Sequence, residues 1–270
     1  TRVTSQCLIE DMHILSADLV TNGDFSQIGS ELVTNGDFAT NSDWNLQSNA
    51  IIENNTLKFN GSSVIVFATQ SLYSSGLYNS KTLQFSYEII SNNLVGSGNL
   101  RVGGFSGGSI FPNLSNLETS VGIHTLYTSI NATGANNVLD LYITGGYSSG
   151  TLVIDNVSVK EVGQNWSVTD SDANNYVVFN GSTARLKFLN TSPVTQLTTS
   201  FVMTAGKKYK LTVDVATVTS GGIKVDGNGI SETFNTSGIT TRIINPTASS
   251  AINFYRATAN VDITLNSVKL

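Results

Sequence analysis

The chain has 270 residues, of which 40% are hydrophobic, so it can build a sizeable core in one large domain or in two domains of ordinary size. Only 12% are charged, about half the ~25% of a typical globular chain. The net charge of −5 without a basic run argues against nucleic-acid binding, the single cysteine excludes an internal disulfide framework, and no stretch approaches the ~20 apolar residues of a membrane helix.

Ser, Thr, Asn and 24 glycines take the place of the missing charges. Ser, Thr and Asn side chains compete for the backbone hydrogen bonds of a helix, and glycine loses too much entropy in one. The composition therefore favours short strands joined by tight turns.

The N-terminal part of the chain contains a repeated phrase. Residues 1–18 include acids and no continuous apolar run, so they lack the pattern of a secretory signal. The phrase LVTNGDF occurs at 19–25 and again at 32–38, and only the second copy precedes a tryptophan, Trp44, at the spacing of a domain opening. We predict that residues 1–31 form an extended arm that docks on a neighbouring protein by strand addition. The alternative is a linker left by a recent duplication.

The rest of the chain contains a longer repeat. NNTLKFNGSS at 54–63 matches NNYVVFNGST at 174–183, each after a tryptophan, and further strand-like matches follow in the same order at an offset of about 120 residues. An interval of that length is typical of a domain, so we predict two modules in series, 32–162 and 163–270.

Within each module, apolar and polar residues alternate. Leu83, Phe85, Tyr87 and Ile89 share one side of a strand, and the residues between them are mostly polar. Such alternation indicates antiparallel sheets with one buried and one wet face. We therefore predict an all-β chain of two tandem antiparallel jelly-roll β-sandwiches.

Two phrases carry a resemblance to known proteins. The opening LVTNGDF…W and the closing IDNVSVKEV at 154–162 resemble carbohydrate-binding-module jelly rolls of the galactose-binding-like type. The wording GSELVTNGDFATNSDW at 29–44, with two modules in series, resembles bacteriophage virion proteins such as tail fibres and capsid decorations. The resemblance implies a protein on the virion surface, made in the host cytoplasm without a signal peptide, that joins other virion proteins through its arm. The second module departs from this pattern because KEVGQNW, at 160–166, reaches Trp166 without an NGDF turn.

The sequence lacks the residue patterns that catalytic sites usually have. The chain has two histidines, His13 and His124, and no nucleophile elbow, metal-protease helix or phosphate loop. Glu88 and Asp140 are carboxylates on wet strand faces, but nothing in the sequence brings them together for glycoside cleavage. We predict that the protein is not an enzyme.

The resemblance also implies a calcium ion between the opening turn and the closing strand. Asp37 and Asp155 occupy the matching stretches of the first module, whereas Ala39 and, in the second module, Leu265 stand where the family often has acids. The alternative is that Asp37 caps its own turn and Asp155 is simply polar at a strand end. We expect no other cofactor.

Sugar binding needs an exposed aromatic ring beside polar side chains. Alternation in LDLYIT at 139–144 and INFYRA at 252–257 places Tyr142 and Tyr255 outward at the same position of both repeats. We predict a glycan-binding face formed by Tyr142, Tyr255, Gln84, Glu88 and Arg101. The alternative is that these tyrosines pack against neighbouring strands of a wet sheet.

The prediction from the sequence is therefore a non-enzymatic structural or display protein of a phage virion, a capsid decoration or fibre, that holds host glycans weakly. It neither inserts into membranes nor binds nucleic acid, and it can form homo-oligomers, although no coiled-coil heptads are present. The alternative is a secreted bacterial carbohydrate-binding fragment of a polysaccharide-degrading enzyme.

Overall fold

The computed structural model of the protein describes residues 17–72, 81–103, 116–129, 137–169, 171–172, 174–192, 194–258 and 260–270. In these ranges the chain forms 22 strands and no helix. None of the described residues belongs to a helix long and apolar enough to cross a membrane.

The strands of the first half are β1 (Ile28–Glu31), β2 (Asn45–Gln47), β3 (Ala50–Glu53), β4 (Thr56–Asn60), β5 (Val66–Ser71), β6 (Thr82–Asn92), β7 (Val95–Gly96), β8 (Leu100–Val102), β9 (Gly122–Ser129), β10 (Val138–Ile143), β11 (Tyr147–Ser149) and β12 (Thr151–Val162). Those of the second half are β13 (Trp166–Thr169), β14 (Asn175–Phe179), β15 (Ala184–Phe188), β16 (Gln196–Met203), β17 (Tyr209–Ser220), β18 (Ile223–Gly227), β19 (Ile230–Phe234), β20 (Gly238–Ile244), β21 (Ser250–Arg256) and β22 (Val261–Lys269).

The strands build two sandwiches. In the first, the sheet β3-β4-β12-β6-β9, with β1 added beside β12, packs against the sheet β2-β5-β10-β8, and β7 and β11 form a separate ribbon. In the second, β14-β15-β22-β17-β20 packs against β13-β16-β21-β18-β19. Every pairing is antiparallel. The predicted all-β architecture of antiparallel jelly-roll sandwiches is confirmed.

Each sandwich has its own core. In the first, Leu83, Phe85, Tyr87 and Ile89 on β6 are fully buried, as the alternation of this strand predicted. In the second, Leu211, Val213 and Val215 on β17 have the same role. Burial of these side chains, each worth about 1.5–3 kcal/mol, is the main term that stabilises the two sandwiches.

The sheet orders show which strands of the two sandwiches correspond. Reading both larger sheets from the same edge places β3 with β14, β4 with β15, β12 with β22, β6 with β17, and β9 with β20. The match of 54–63 with 174–183 instead aligns β4 with β14, so it is displaced by one strand. The reason is that FNGS is a turn phrase, and it follows β4 in one sandwich but joins β14 to β15 in the other.

The first LVTNGDF phrase belongs to the second sandwich. Val20 and Phe25 are buried in the second core, and the Phe25 ring lies 5.2 Å from the ring of Trp166 and 5.8 Å from that of Phe179. The prediction that 1–31 is an arm separate from the modules is therefore wrong for these residues, because Phe25 packs against Trp166 and Phe179 of the second sandwich. Residues 1–16, which include Cys7 and His13, lie outside the described residues.

The two phrases dock in the same way on the two sandwiches. The indole Nε1 of Trp166 donates to the carbonyl of Asn22 at 2.9 Å, and that of Trp44 donates to the carbonyl of Asn35 at 3.0 Å. In each phrase the asparagine and the phenylalanine have positive φ angles, which is uncommon for phenylalanine. Each phrase is therefore an opening turn that lies under a tryptophan of its own sandwich.

Glycine is required in both turns because the closing strand passes very close. A Cβ on Gly23 would lie 2.1 Å from the carbonyl oxygen of Val268, and one on Gly36 would lie 2.0 Å from that of Val157. Val268 and Val157 in turn donate their N–H groups to the carbonyls of these glycines. The first sandwich is thus inserted in the chain between the opening turn of the second sandwich and its remaining strands. The exact division into 32–162 and 163–270 stays a prediction.

This insertion predicts an effect at long range. Phe25→Ala should destabilise the second sandwich by about 3–5 kcal/mol, as expected for loss of a buried aromatic ring, and leave the first sandwich unchanged. Hydrogen exchange measured by mass spectrometry should show lost protection in β16, β17 and β22 but not in β6. Phe38→Ala, the matched variant, should give the reverse pattern, and equal protection of β17 in wild type and Phe25→Ala would contradict the assignment.

Candidate functional site

Tyr255 lies on an open sheet face of the second sandwich. On β21, Ile252 and Phe254 are fully buried in the core, so the intervening residues Asn253 and Tyr255 point away from it. Tyr255 is partly exposed and pairs directly with Lys224 on β18. Asn253 pairs with Thr198 on β16, which continues the same face as a polar surface.

A groove runs along this face. It has a volume of about 460 Å³ and is lined by Val194, Lys224, Asp226, Gly227, Tyr255 and Arg256. Lys224 and Asp226 form an ion pair through Nζ and Oδ2 at the groove. The hydrogen bond from Lys224 lowers the pKa of the Asp226 carboxyl, so this carboxyl is ionised at neutral pH. The groove therefore combines an aromatic ring with an ammonium donor and a carboxylate acceptor.

Tyr142, at the corresponding position of the first sandwich, has a different environment. It is only 5% exposed, and Asp140 beside it on the same face of β10 is completely buried. Strand β10 is therefore covered on both faces, and the prediction of an exposed Tyr142 is wrong. Arg101 does lie opposite Tyr142 on β8, and its Nε is buried without a hydrogen-bond partner among the described residues.

Gln84 and Glu88 lie in the other sheet. Both are on β6, whereas Tyr142 and Arg101 are on β10 and β8, which belong to the facing sheet. Gln84 donates its Nε2 hydrogen to the Tyr127 hydroxyl at 2.9 Å, and Glu88 Oε2 accepts from Nδ2 of Asn156 at 2.7 Å. The predicted five-residue face is therefore divided between three places, because alternation along a strand does not tell which sheet the strand joins.

The first sandwich has a groove that sequence reasoning missed. Its volume is about 510 Å³, and it is lined by Thr34, Asp43, Asn45, Thr69, Gln70, Ser71 and Val138. The buried Gln70 side chain accepts from the N–H of Thr34 and donates to the carbonyls of Thr34 and Asp43. These bonds hold the loop after the opening turn in place, and no aromatic ring is among the lining residues described.

The two predicted calcium ligands lie within electrostatic reach of each other. Burial is the main cause of the raised pKa of Asp155, and the charges of Glu88 and Asp37 raise it further. Asp155 Oδ1 accepts from the N–H of Asn156 at 2.7 Å, and Asp37 Oδ1 accepts from that of Ala39 at 3.4 Å. The described residues contain no group of three His, Cys, Asp or Glu side chains placed to hold a metal ion.

The second sandwich replaces this acidic pair with a hydrogen bond. Because Val157 and Val268 make the same contact with their opening turns, Asp155 corresponds to Asn266 and not to Leu265. Asp155 pairs with Glu88 across the strands, whereas Nδ2 of Asn266 donates to Oδ2 of Asp214 at 3.3 Å. The first sandwich thus keeps two carboxylates opposite each other where the second has a neutral partner.

The residues considered for catalysis are not brought together. Glu88 lies on β6 and Asp140 on β10, in opposite sheets of the first sandwich. His124 Nε2 lies 2.8 Å from the carbonyl oxygen of Ser120, and its ring lies 5.2 Å from that of Tyr87. Tyr87 donates to the carbonyl of Glu118, and burial raises the pKa of its phenol. These contacts serve packing at the end of β9.

Comparison with known proteins gives distant likenesses only. No protein-family model matches the chain, and no curated protein does. A solved structure described as "CBM4 structure and function" is 14% identical with a TM-score of 0.28 and covers 53% of this chain and 99% of its own. The N-terminal CBM22-1–CBM22-2 tandem domain of Paenibacillus barcinonensis Xyn10C is 11% identical with a TM-score of 0.33 and covers 89% of this chain and 97% of its own. Likenesses at these TM-scores do not bear on function.

The acidic pair predicts a pH-dependent gain in stability. The folded-state pKa of Asp155 is raised above its ordinary value of 3.8, so the ionised carboxylate is costlier in the folded than in the unfolded chain. Asp155→Asn should therefore stabilise the first sandwich by about 0.5–1 kcal/mol at neutral pH, the size of an unfavourable cross-strand charge pair. The gain should shrink as the pH falls through the folded-state pKa and vanish below 3.8.

Urea unfolding at neutral pH and at a pH below 3.8 measures this difference. The reverse change in the second sandwich, Asn266→Asp, is the matched control, and it should destabilise at neutral pH because it places a carboxylate beside Asp214. A loss of stability in Asp155→Asn at neutral pH would show that the carboxylate has a favourable partner, such as a bound cation.

Proposed function

We propose that this protein is a non-enzymatic display and adhesion protein whose second sandwich binds glycans in the groove beside Tyr255. The observation that carries the proposal is the partly exposed Tyr255 ring, which lies beside Lys224 and Asp226 on a polar sheet face. A pyranose ring has an apolar C–H face and a rim of hydroxyls. The tyrosine ring suits the first, and the charged pair suits the second.

The groove favours weak binding. One aromatic ring and one ion pair give few contacts, and the ion pair is exposed to water that competes for the same hydrogen bonds. The face contains no described acid–base pair enclosed from solvent that would be needed to cleave the ligand. Holding a ligand without converting it is the function that this geometry suits.

The proposed setting is the surface of a phage virion, as a capsid decoration or fibre component in contact with other virion proteins. The support is the resemblance of the motif at 29–44, and of two modules in one chain, to virion proteins. The low charge content and the long Ser, Thr and Asn faces also suit a soluble particle surface. Docking by an N-terminal arm stays a prediction for residues 1–16, which lie outside the described residues. The alternative setting remains a carbohydrate-binding part of a secreted polysaccharide-degrading enzyme.

Glycan-array binding of wild type and Tyr255→Ala tests the groove. We expect Tyr255→Ala to weaken binding about fivefold or more, because stacking of an aromatic ring contributes on the order of 1 kcal/mol. Tyr176→Ala, which removes a partly exposed tyrosine from β14 in the other sheet, is the matched control and should bind like wild type. Binding that is unchanged in Tyr255→Ala, or lost equally in both variants, would contradict the proposed site.

The two settings are separated by a different measurement. Mass spectrometry of purified virus particles should find this chain at a fixed ratio to the major capsid or tail protein if it is a virion component. A catalytic domain in the same polypeptide, together with absence from particles, would favour the enzyme-associated setting.

A further inference from the structure

The two sandwiches meet along the edges of their larger sheets. Strand β9 is one edge of the sheet β3-β4-β12-β6-β9, and it contacts β14, an edge of the sheet β14-β15-β22-β17-β20. Tyr127 on β9 packs against the second core, and its hydroxyl accepts from Gln84 on the neighbouring strand. Strands β9 and β14 belong to different sheets, so they contact each other without pairing, and Tyr127 reaches the second core from the face of β9 opposite Leu126.

Strand β20 has the same place in the second sandwich as β9 has in the first. Glu88 and Gln84 on β6 pair with Ile123 and Tyr127 on β9. The corresponding residues of β17, Asp214 and Lys210, pair with Ile239 and Ile243 on β20. Ile243 therefore occupies the position at which Tyr127 packs against the other sandwich.

Nothing in the described chain covers Ile243 as the second sandwich covers Tyr127. Ile243 is 63% exposed and Ile239 is 73% exposed. Strand β20 is paired with β17 in unbroken register over seven residues, and no described strand pairs with its other side. Strand β20 has no proline or bulge, and its one charged side chain, Arg242, is paired with Glu232, so its outer side stays available to another chain.

The opposite end of the molecule presents the complementary edge. Strand β3 is the outer edge of the first larger sheet, and it has the place that β14 has in the second. Ile51 on β3 is 40% exposed. The two free edges are thus of the same two kinds that already meet inside the chain at β9 and β14.

We propose that a second copy of this chain docks the edge of its first sandwich at β3 on strand β20, repeating between chains the contact that β9 and β14 make within one chain. The contact joins two different surfaces, so it continues from copy to copy in a head-to-tail row. A row of copies would also carry a row of Tyr255 grooves, and multiple weak sites in one assembly bind a surface far more tightly than one.

Two variants and their mixture test the geometry. Ile243→Lys spoils the β20 surface, and Ile51→Lys spoils the β3 surface, while both residues are exposed enough that folding should persist. Light scattering behind size-exclusion chromatography, over a series reaching about 100 μM chain, should give dimers and larger species for wild type and monomers for each variant. The 1:1 mixture should give a heterodimer and nothing larger. The intact β3 of one variant docks on the intact β20 of the other, and the two edges that remain free are the mutated ones.

Ile123→Lys on β9 is the matched control, since Ile123 is 74% exposed and corresponds to Ile239 but lies in the first sandwich. It should assemble like wild type. Monomeric wild type throughout the series would overturn the proposal. So would a closed dimer that survives Ile51→Lys, which is the result expected if two β20 strands pair symmetrically. Glycan binding by Ile243→Lys should match that of wild-type monomer, so this proposal and the groove at Tyr255 can fail separately.

Discussion

The docking of an Asn-Gly-Asp-Phe turn under a tryptophan and against a closing strand is the contact on which both sandwiches depend. The phenylalanine fills the core beneath the indole, the asparagine carbonyl satisfies the indole N–H, and the missing glycine side chain lets the closing strand approach. In the second sandwich the hydrogen bond from Trp166 to Asn22 joins residues 144 positions apart in the chain. The chain enters the first sandwich from the opening turn of the second and returns to the second afterwards. The two sandwiches are therefore connected at two points of the chain and not at one.

The two sandwiches share this construction but differ in the faces that they leave open. In the first, β10 is buried on both sides, and its Tyr142 contributes to packing. In the second, the corresponding face around Tyr255 is open and lined by an ion pair. A side chain can bind a ligand only where solvent also reaches it. The two sandwiches can therefore have similar cores while only the second leaves this sheet face accessible. The free edges β3 and β20 follow from two larger sheets of the same strand order that meet through β9 and β14.

The sequence predicted the fold class because alternation and turn composition act over a few residues. Leu83, Phe85, Tyr87 and Ile89 all face the core as expected, and Tyr255 faces away from it. The candidate site was predicted only in part. Alternation along a strand tells which side of its own sheet a residue occupies, but not what covers that side. This is why the sequence predicts an exposed Tyr142 although the residue is buried. Alternation also does not tell which sheet a strand joins. This is why the sequence predicts Gln84 and Glu88 in one face with Arg101, although they lie in the other sheet.

By itself the sequence determined that this chain is all-β, that it is internally repeated, and that each LVTNGDF phrase forms a tight turn. These properties depend on side-chain periodicity and on the backbone preferences of Asn and Gly, which are local. Only the tertiary structure decided which sandwich each phrase closes. The two phrases are identical over seven residues, so nothing within them distinguishes the two docking sites. The choice is made by the partners, since the turn at 19–25 meets Trp166 and Val268, and the turn at 32–38 meets Trp44 and Val157.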